Sequence, residues 1–76
     1  MGKLAAWHSV KPGIANVYHD ESECYDGNNI ETRHWRAGRG PGRHQCFTCG
    51  RFERERAERE AALRRLAIAR ALRNRS

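Results

Sequence analysis

The hydrophobic and polar positions follow two different rhythms along this chain. From Phe52 onward, "FERERAEREAALRRLAIARALRN" contains no Gly or Pro and is built mainly from Ala, Leu, Arg and Glu, which are strong helix formers. Glu55 with Arg59, and Glu60 with Arg64, stand at i,i+4 in the favourable order. The glutamates occupy the first half and Arg64, Arg65, Arg70 and Arg73 the second, which complements the helix dipole. One helix is predicted over Phe52–Asn74. Its first half is polar on nearly every side. Its second half carries Leu63, Leu66, Ile68 and Leu72 diluted by alanine, too thin a set for a core-facing helix. A projecting helix is expected, its apolar positions free for a partner or in weak contact with the rest. The absence of sustained heptads argues against a long coiled coil.

Before residue 50 the apolar runs are short. "IANVYH", residues 14–19, predicts a brief strand ending on His19, and "IETRHW", residues 30–35, a second one. "DGNN", residues 26–29, lies between them as a turn signal, because Gly and Asn tolerate positive φ. "AGRGPGR", residues 37–43, reads as a flexible basic loop. Residues 1–13 read as irregular, ending in the turn-like "KPG".

Length changes the picture next. With 76 residues there is room for one small domain, and a core of that size rarely holds a fold without a disulfide, a metal or a partner. Three cysteines are an odd set, which does not close a disulfide framework. The opening "MGKLAAW" is too short and too weakly apolar for a secretory h-region, and no run approaches a membrane span. A reducing cytoplasm, with thiolates available to a metal, is the expected setting.

The cysteines carry the chemistry. Cys46-x2-Cys49 has the spacing that turns two sulfurs toward one tetrahedral ion. Gly50 follows, a small residue expected to let backbone N–H groups approach the thiolates. Cys24 supplies a third ligand if all cysteines are used. Four histidines compete for the fourth place. His19-x4-Cys24 closes a compact loop and is favoured by spacing. His34 and His44 remain in competition, and His8 is remote. Asp20 and Glu23 are candidates to orient the imidazole from behind. The implied cofactor is one structural zinc ion, held by His19, Cys24, Cys46 and Cys49. The fold class follows: a small zinc-stabilised α+β protein, with a β-hairpin or irregular zinc-binding body over residues 1–50 and a basic helix over 51–76.

Enzyme readings fit poorly. Four protein ligands leave no open position for water. "HDE" at His19–Glu21 imitates the His-x-Glu of zinc deaminases, but the chain is too short for that fold and Gln45 stands where its signature has proline. A ββα nuclease would need a histidine base, and His34 is followed by Trp35 rather than a ligand. A redox Cys-x-x-Cys would want a βαβ setting.

Charge points to a binding role. The net charge is +6. Residues 1–50 hold six Lys/Arg against five Asp/Glu, whereas residues 51–76 hold nine Arg against four Glu. Such a balance suits nucleic acid or an acidic protein surface. Candidate contacts are Arg33, Arg36, Arg39 and Arg43 in the loop, and Arg65, Arg70, Arg73 and Arg75 in the helix, which lack acidic neighbours. Trp35 is expected in the small core rather than on a nucleic-acid base. Trp7 is either a clamp on the domain, the reading favoured here, or an anchor for a partner.

Taken together, "VYHDESECYDGNNIE" and "RAGRGPGRHQCFTCG" form a frame: His-x4-Cys, Gly-Asn-Asn-Ile, an Arg/Gly loop, then Cys-x2-Cys. Over residues 14–50 this resembles the small zinc-bearing transcription regulators of lytic phages that bind host RNA polymerase. The resemblance implies a non-enzymatic protein in the cytoplasm of an infected bacterium, a monomer on its own. It implies docking on the largest polymerase subunits near the RNA exit channel, inhibition of host initiation, and antitermination, with the basic helix beside the emerging RNA. It carries His19, Cys24, Cys46 and Cys49 over as metal ligands. The alternative is a stand-alone zinc protein that binds DNA or RNA as an accessory factor.

Overall fold

A computed structural model describes residues 2–74; Arg75, among the candidate contacts, lies outside them. Strand β1 spans Lys3–Ser9 and β2 spans Val17–Glu21. A four-residue helix α1, Tyr25–Asn28, and a 3-10 turn, Thr32–His34, precede β3, Trp35–Ala37. The two-residue β4, His44–Gln45, leads into the long helix α2, Phe47–Arg73. The sheet order is β3-β1-β2-β4, antiparallel except for the β2–β4 pair.

The α+β class and the long C-terminal helix are those the sequence predicts. The sheet is larger than the expected hairpin, because residues 3–9, read as irregular, form one of its two inner strands. β2 begins at Val17 and runs two residues past His19. Most of "IETRHW" is turn rather than strand, and pairing starts only at Trp35.

Strand alternation sorts the sheet into two faces. Trp7 pairs with His19 on one side and Ala37 on the other, giving an inward row. His8 pairs with Tyr18 and Arg36, and Tyr18 with Gln45, giving an outward row. The buried apolar side chains lie on the inward face, while His8 and Asp20 are buried on the outward one. Those on the inward face are Trp7, Cys24, Cys46 and Cys49, with Val17 packed partly against them. One tryptophan and three cysteines bury too little apolar area to hold a fold alone. Trp35, expected in this core, is 45 % exposed; the place is taken by Trp7, at 6 %.

Helix α2 leaves the body. Its 27 residues extend about 40 Å at 1.5 Å per residue, and the molecule measures 63 × 20 × 16 Å. The radius of gyration is 17.6 Å, against about 11 Å for a compact chain of this length. Leu63, Leu66, Ile68 and Leu72 are each 59–61 % exposed, so among the described residues the outer half of the helix packs on nothing. Among the described residues no helix is long and apolar enough to cross a membrane.

Candidate metal centre

Each of the four side chains is delivered by a fixed point of the fold. His19 sits in β2, opposite Trp7. Cys24 is the N-cap of α1, and its sulfur accepts the N–H of Gly27 at 3.4 Å. Cys46 is the N-cap of α2, and Cys49 lies in that helix's first turn. Both helices therefore start on a cysteine. An N-cap normally offers a side-chain oxygen to the first-turn N–H groups. Cys46 makes no such bond; its sulfur turns instead toward Cys24.

The ligating atoms converge. His19 Nδ1 lies 3.5 Å from Cys24 Sγ and 3.9 Å from Cys49 Sγ. Cys24 Sγ lies 3.9 Å from Cys46 Sγ, and all four atoms lie within 4.8 Å of one another. Zinc–sulfur bonds of ~2.3 Å give a tetrahedron whose S···S edge is about 3.8 Å. The spacing matches that edge, and three sulfurs with one imidazole form one of the usual closed donor sets for zinc. The buried group can hold a metal ion, and its chemistry is consistent with one zinc. Around a divalent ion, three thiolates and a neutral imidazole leave one negative charge, at the N-terminus of α2 where the helix dipole favours it.

Burial sets the protonation of the metal-free group. Burial pushes the Cys24 thiol up to about 12, against the N–H of Gly27. It also raises Cys49. Burial lowers His19, against the opposing pull of Asp26 and Asp20. The imidazole is ready to coordinate, and the buried thiols must give up protons to a metal.

The ring of His19 is held by packing that the sequence did not disclose. Trp7 lies 5.8 Å away, centroid to centroid, tilted by 38°. The indole N–H donates to the Gly27 carbonyl at 2.9 Å. A Cβ on Gly27 would stand 2.8 Å from both His19 Cγ and Trp7 Cζ2. Gly27 is thus required by closeness of approach, and Trp7 is the clamp, buried beside the imidazole. The expected imidazole partners act elsewhere. The Asp20 carboxylate pairs with Lys3 at 2.8 Å and accepts from Gln45 at 3.3 Å, while its backbone N–H reaches Cys49 Sγ at 3.5 Å. Glu23 is exposed and hydrogen-bonds nothing in this cluster. The N–H of Gly50 goes to the Cys46 carbonyl at 2.9 Å, not to a thiolate.

The other histidines are not in the cluster. His34 ends the 3-10 turn, His44 is exposed, and His8 is on the opposite face with Nδ1 donating to the Gly38 carbonyl at 2.7 Å. A second acidic group, Asp20, Glu21 and Glu53, already has its cations: Lys3 bridges Asp20 and Glu53, and Arg56 pairs with Glu21. These pairs also pin the root of α2 to the sheet.

The candidate contact arginines are dispersed. Arg33 is paired to Glu31 at 3.0 Å. Arg36, Arg39 and Arg43 cluster near the outward sheet face. Arg65, Arg70 and Arg73 are exposed along α2. The ion pair that closes along the helix is Arg51–Glu55 at 3.8 Å, rather than Glu55–Arg59 or Glu60–Arg64. Compared with protein-family models, curated proteins and solved structures, the chain matches none.

Proposed function

We propose that the protein is a non-catalytic transcription regulator that binds bacterial RNA polymerase and carries one structural zinc ion. The observation that carries this reading is where the four donors lie: His19 and Cys24 on the body, Cys46 and Cys49 at the root of α2. A metal bound there would fix the basic helix to the sheet as a held arm. Four protein donors close a tetrahedral shell and leave no position for a substrate, which supports a binding role over a catalytic one. The polymerase as partner rests on the resemblance of residues 14–50 to phage regulators, from which His19, Cys24, Cys46 and Cys49 carry over as metal ligands. In this reading the protein docks on the largest subunits near the RNA exit channel, inhibits host initiation and promotes antitermination.

The test is capture of tagged, zinc-loaded protein from bacterial lysate treated with nuclease, read by mass spectrometry, followed by transcription across an intrinsic terminator. Stoichiometric polymerase subunits and increased read-through are expected. Loss of polymerase on nuclease treatment, with unchanged termination, would refute the reading.

A further inference from the structure

The outward face of the sheet is chemically unlike the metal-bearing one. Its row runs Arg36, His8, Tyr18, Gln45 across all four strands, about 14 Å at ~4.8 Å per strand. The loop 38–43 folds beside it. Arg39 lies over the Tyr18 ring, 5.0 Å from its centroid. Gly40, at φ 73°, brings Arg43 close to His8: a Cβ there would be 2.7 Å from Arg43 Nε and 3.0 Å from His8 Nε2.

Among the described residues none of these arginines has a carboxylate partner. Arg36 donates only to the carbonyls of Arg33 and Trp35, at 3.2 and 2.8 Å. The Nε of Arg43 is buried with no acceptor at all, a costly state for a charged donor. At the far end of the row Gln45 donates to Asp20 and Glu53, whose charges Lys3 offsets. One guanidinium, that of Arg39, therefore lies over an aromatic ring, and Arg36 and Arg43 stand by the neighbouring His8. Two of the three intervening loop positions are glycine, so a ligand can approach the backbone closely.

We propose that this face, Arg36, Arg39 and Arg43 around His8 and Tyr18, binds the phosphate backbone of a nucleic-acid strand. Guanidinium forks match phosphate oxygens two at a time. A basic path with an aromatic ring is the usual means of holding a single strand without reading its sequence. The site is separate from the metal centre and does not depend on the polymerase reading.

The experiment uses the full, zinc-loaded chain and a fluorescein-labelled single-stranded oligonucleotide of about 20 nucleotides, followed by anisotropy between ~50 and ~200 mM salt. Replacing Arg36→Gln, Arg39→Gln and Arg43→Gln together should raise Kd at least about tenfold and lower the salt slope by about 2, at ~0.7 per phosphate contact on a single strand. The double variant Arg36→Gln/Arg39→Gln alters only exposed side chains; its slope should fall by about 1.4, with zinc content and helical circular dichroism unchanged. Arg65→Gln/Arg70→Gln/Arg73→Gln should lose less than the loop triple. The proposal is overturned if the loop variants bind like the parent, if the helix triple loses as much or more, or if the parent shows no saturable binding. Binding to phosphatidylserine vesicles but not to the oligonucleotide would overturn it as well.

Discussion

Replacing Gly27 by alanine tests the construction of the metal centre through a residue that ligates nothing. Gly27 lies within helix α1 and is not in the left-handed region. On backbone grounds alone, alanine there would gain about 0.5–1 kcal/mol. The surroundings set the opposite sign. The new Cβ would stand 2.8 Å from His19 Cγ and 2.8 Å from Trp7 Cζ2, well inside the ~3.5–4.0 Å of a relaxed carbon contact. Both neighbours are buried rings, and one carries a ligand nitrogen. Overpacking of this kind costs about 1–3 kcal/mol, so the net loss should be up to about 2.5 kcal/mol, or up to about 20 °C in Tm for a domain this small. Displacing the imidazole should also weaken zinc binding by about 10–100-fold, the usual cost of losing a ligand's orientation. Thermal unfolding of the zinc-loaded protein and competition with a chromophoric chelator read the two effects. An alanine variant as stable as the parent, with equal zinc affinity, would refute the packing argument.

Other consequences follow from the same geometry. Zinc binding near neutral pH should release about three protons, one per thiol, measurable by calorimetry in buffers of different ionisation enthalpy. The raised thiols and lowered His19 fix the sign: affinity climbs as pH rises toward the thiol range and fails on acidification, mainly through the thiolates. Arg56→Ala should destabilise the protein by about 3 kcal/mol, because Glu21, with its side chain 3 % exposed, is left charged and buried. Adding Glu21→Gln should recover part of that in urea unfolding. Glu53, held low first by Lys3 and then by Gln45, contributes stability above the ordinary carboxylate range that is lost as pH falls through its folded value. The contribution is small for so exposed a pair, and Lys3→Ala should flatten that part of the pH–stability curve. Leu66→Ala, at a position 60 % exposed, should shift stability by less than about 0.5 kcal/mol.

The sequence disclosed the four side chains that converge and the long helix because each rests on local signals: Cys-x2-Cys, His-x4-Cys, and an uninterrupted run of helix formers. It hid what depends on contact between distant segments. β1 has no clean alternation, and its place among the inner strands comes from Trp7 meeting His19 across the strands. The start of α2 carries no Ser, Thr, Asp or Asn cap and no acid in its first turn, because the capping position is a cysteine directed to the buried His19, Cys24 and Cys49 group. Propensity therefore placed the start at Phe52, five residues late. Trp35 looked like core because large apolar residues are few. Trp7 took that place because its indole N–H finds the Gly27 carbonyl. The outward basic face needed the pairing of Arg36, His8 and Tyr18, which no spacing in the sequence encodes.

X-ray absorption at the zinc edge, combined with circular dichroism before and after chelation, tests the central claim most directly. One zinc per chain is expected, with three sulfur neighbours at ~2.3 Å and one nitrogen at ~2.0–2.1 Å. Removing the metal should unfold the sheet-bearing body. A shell with a bound water or fewer than three sulfurs, or a chelated protein that keeps its folded spectrum and melting transition, would contradict it.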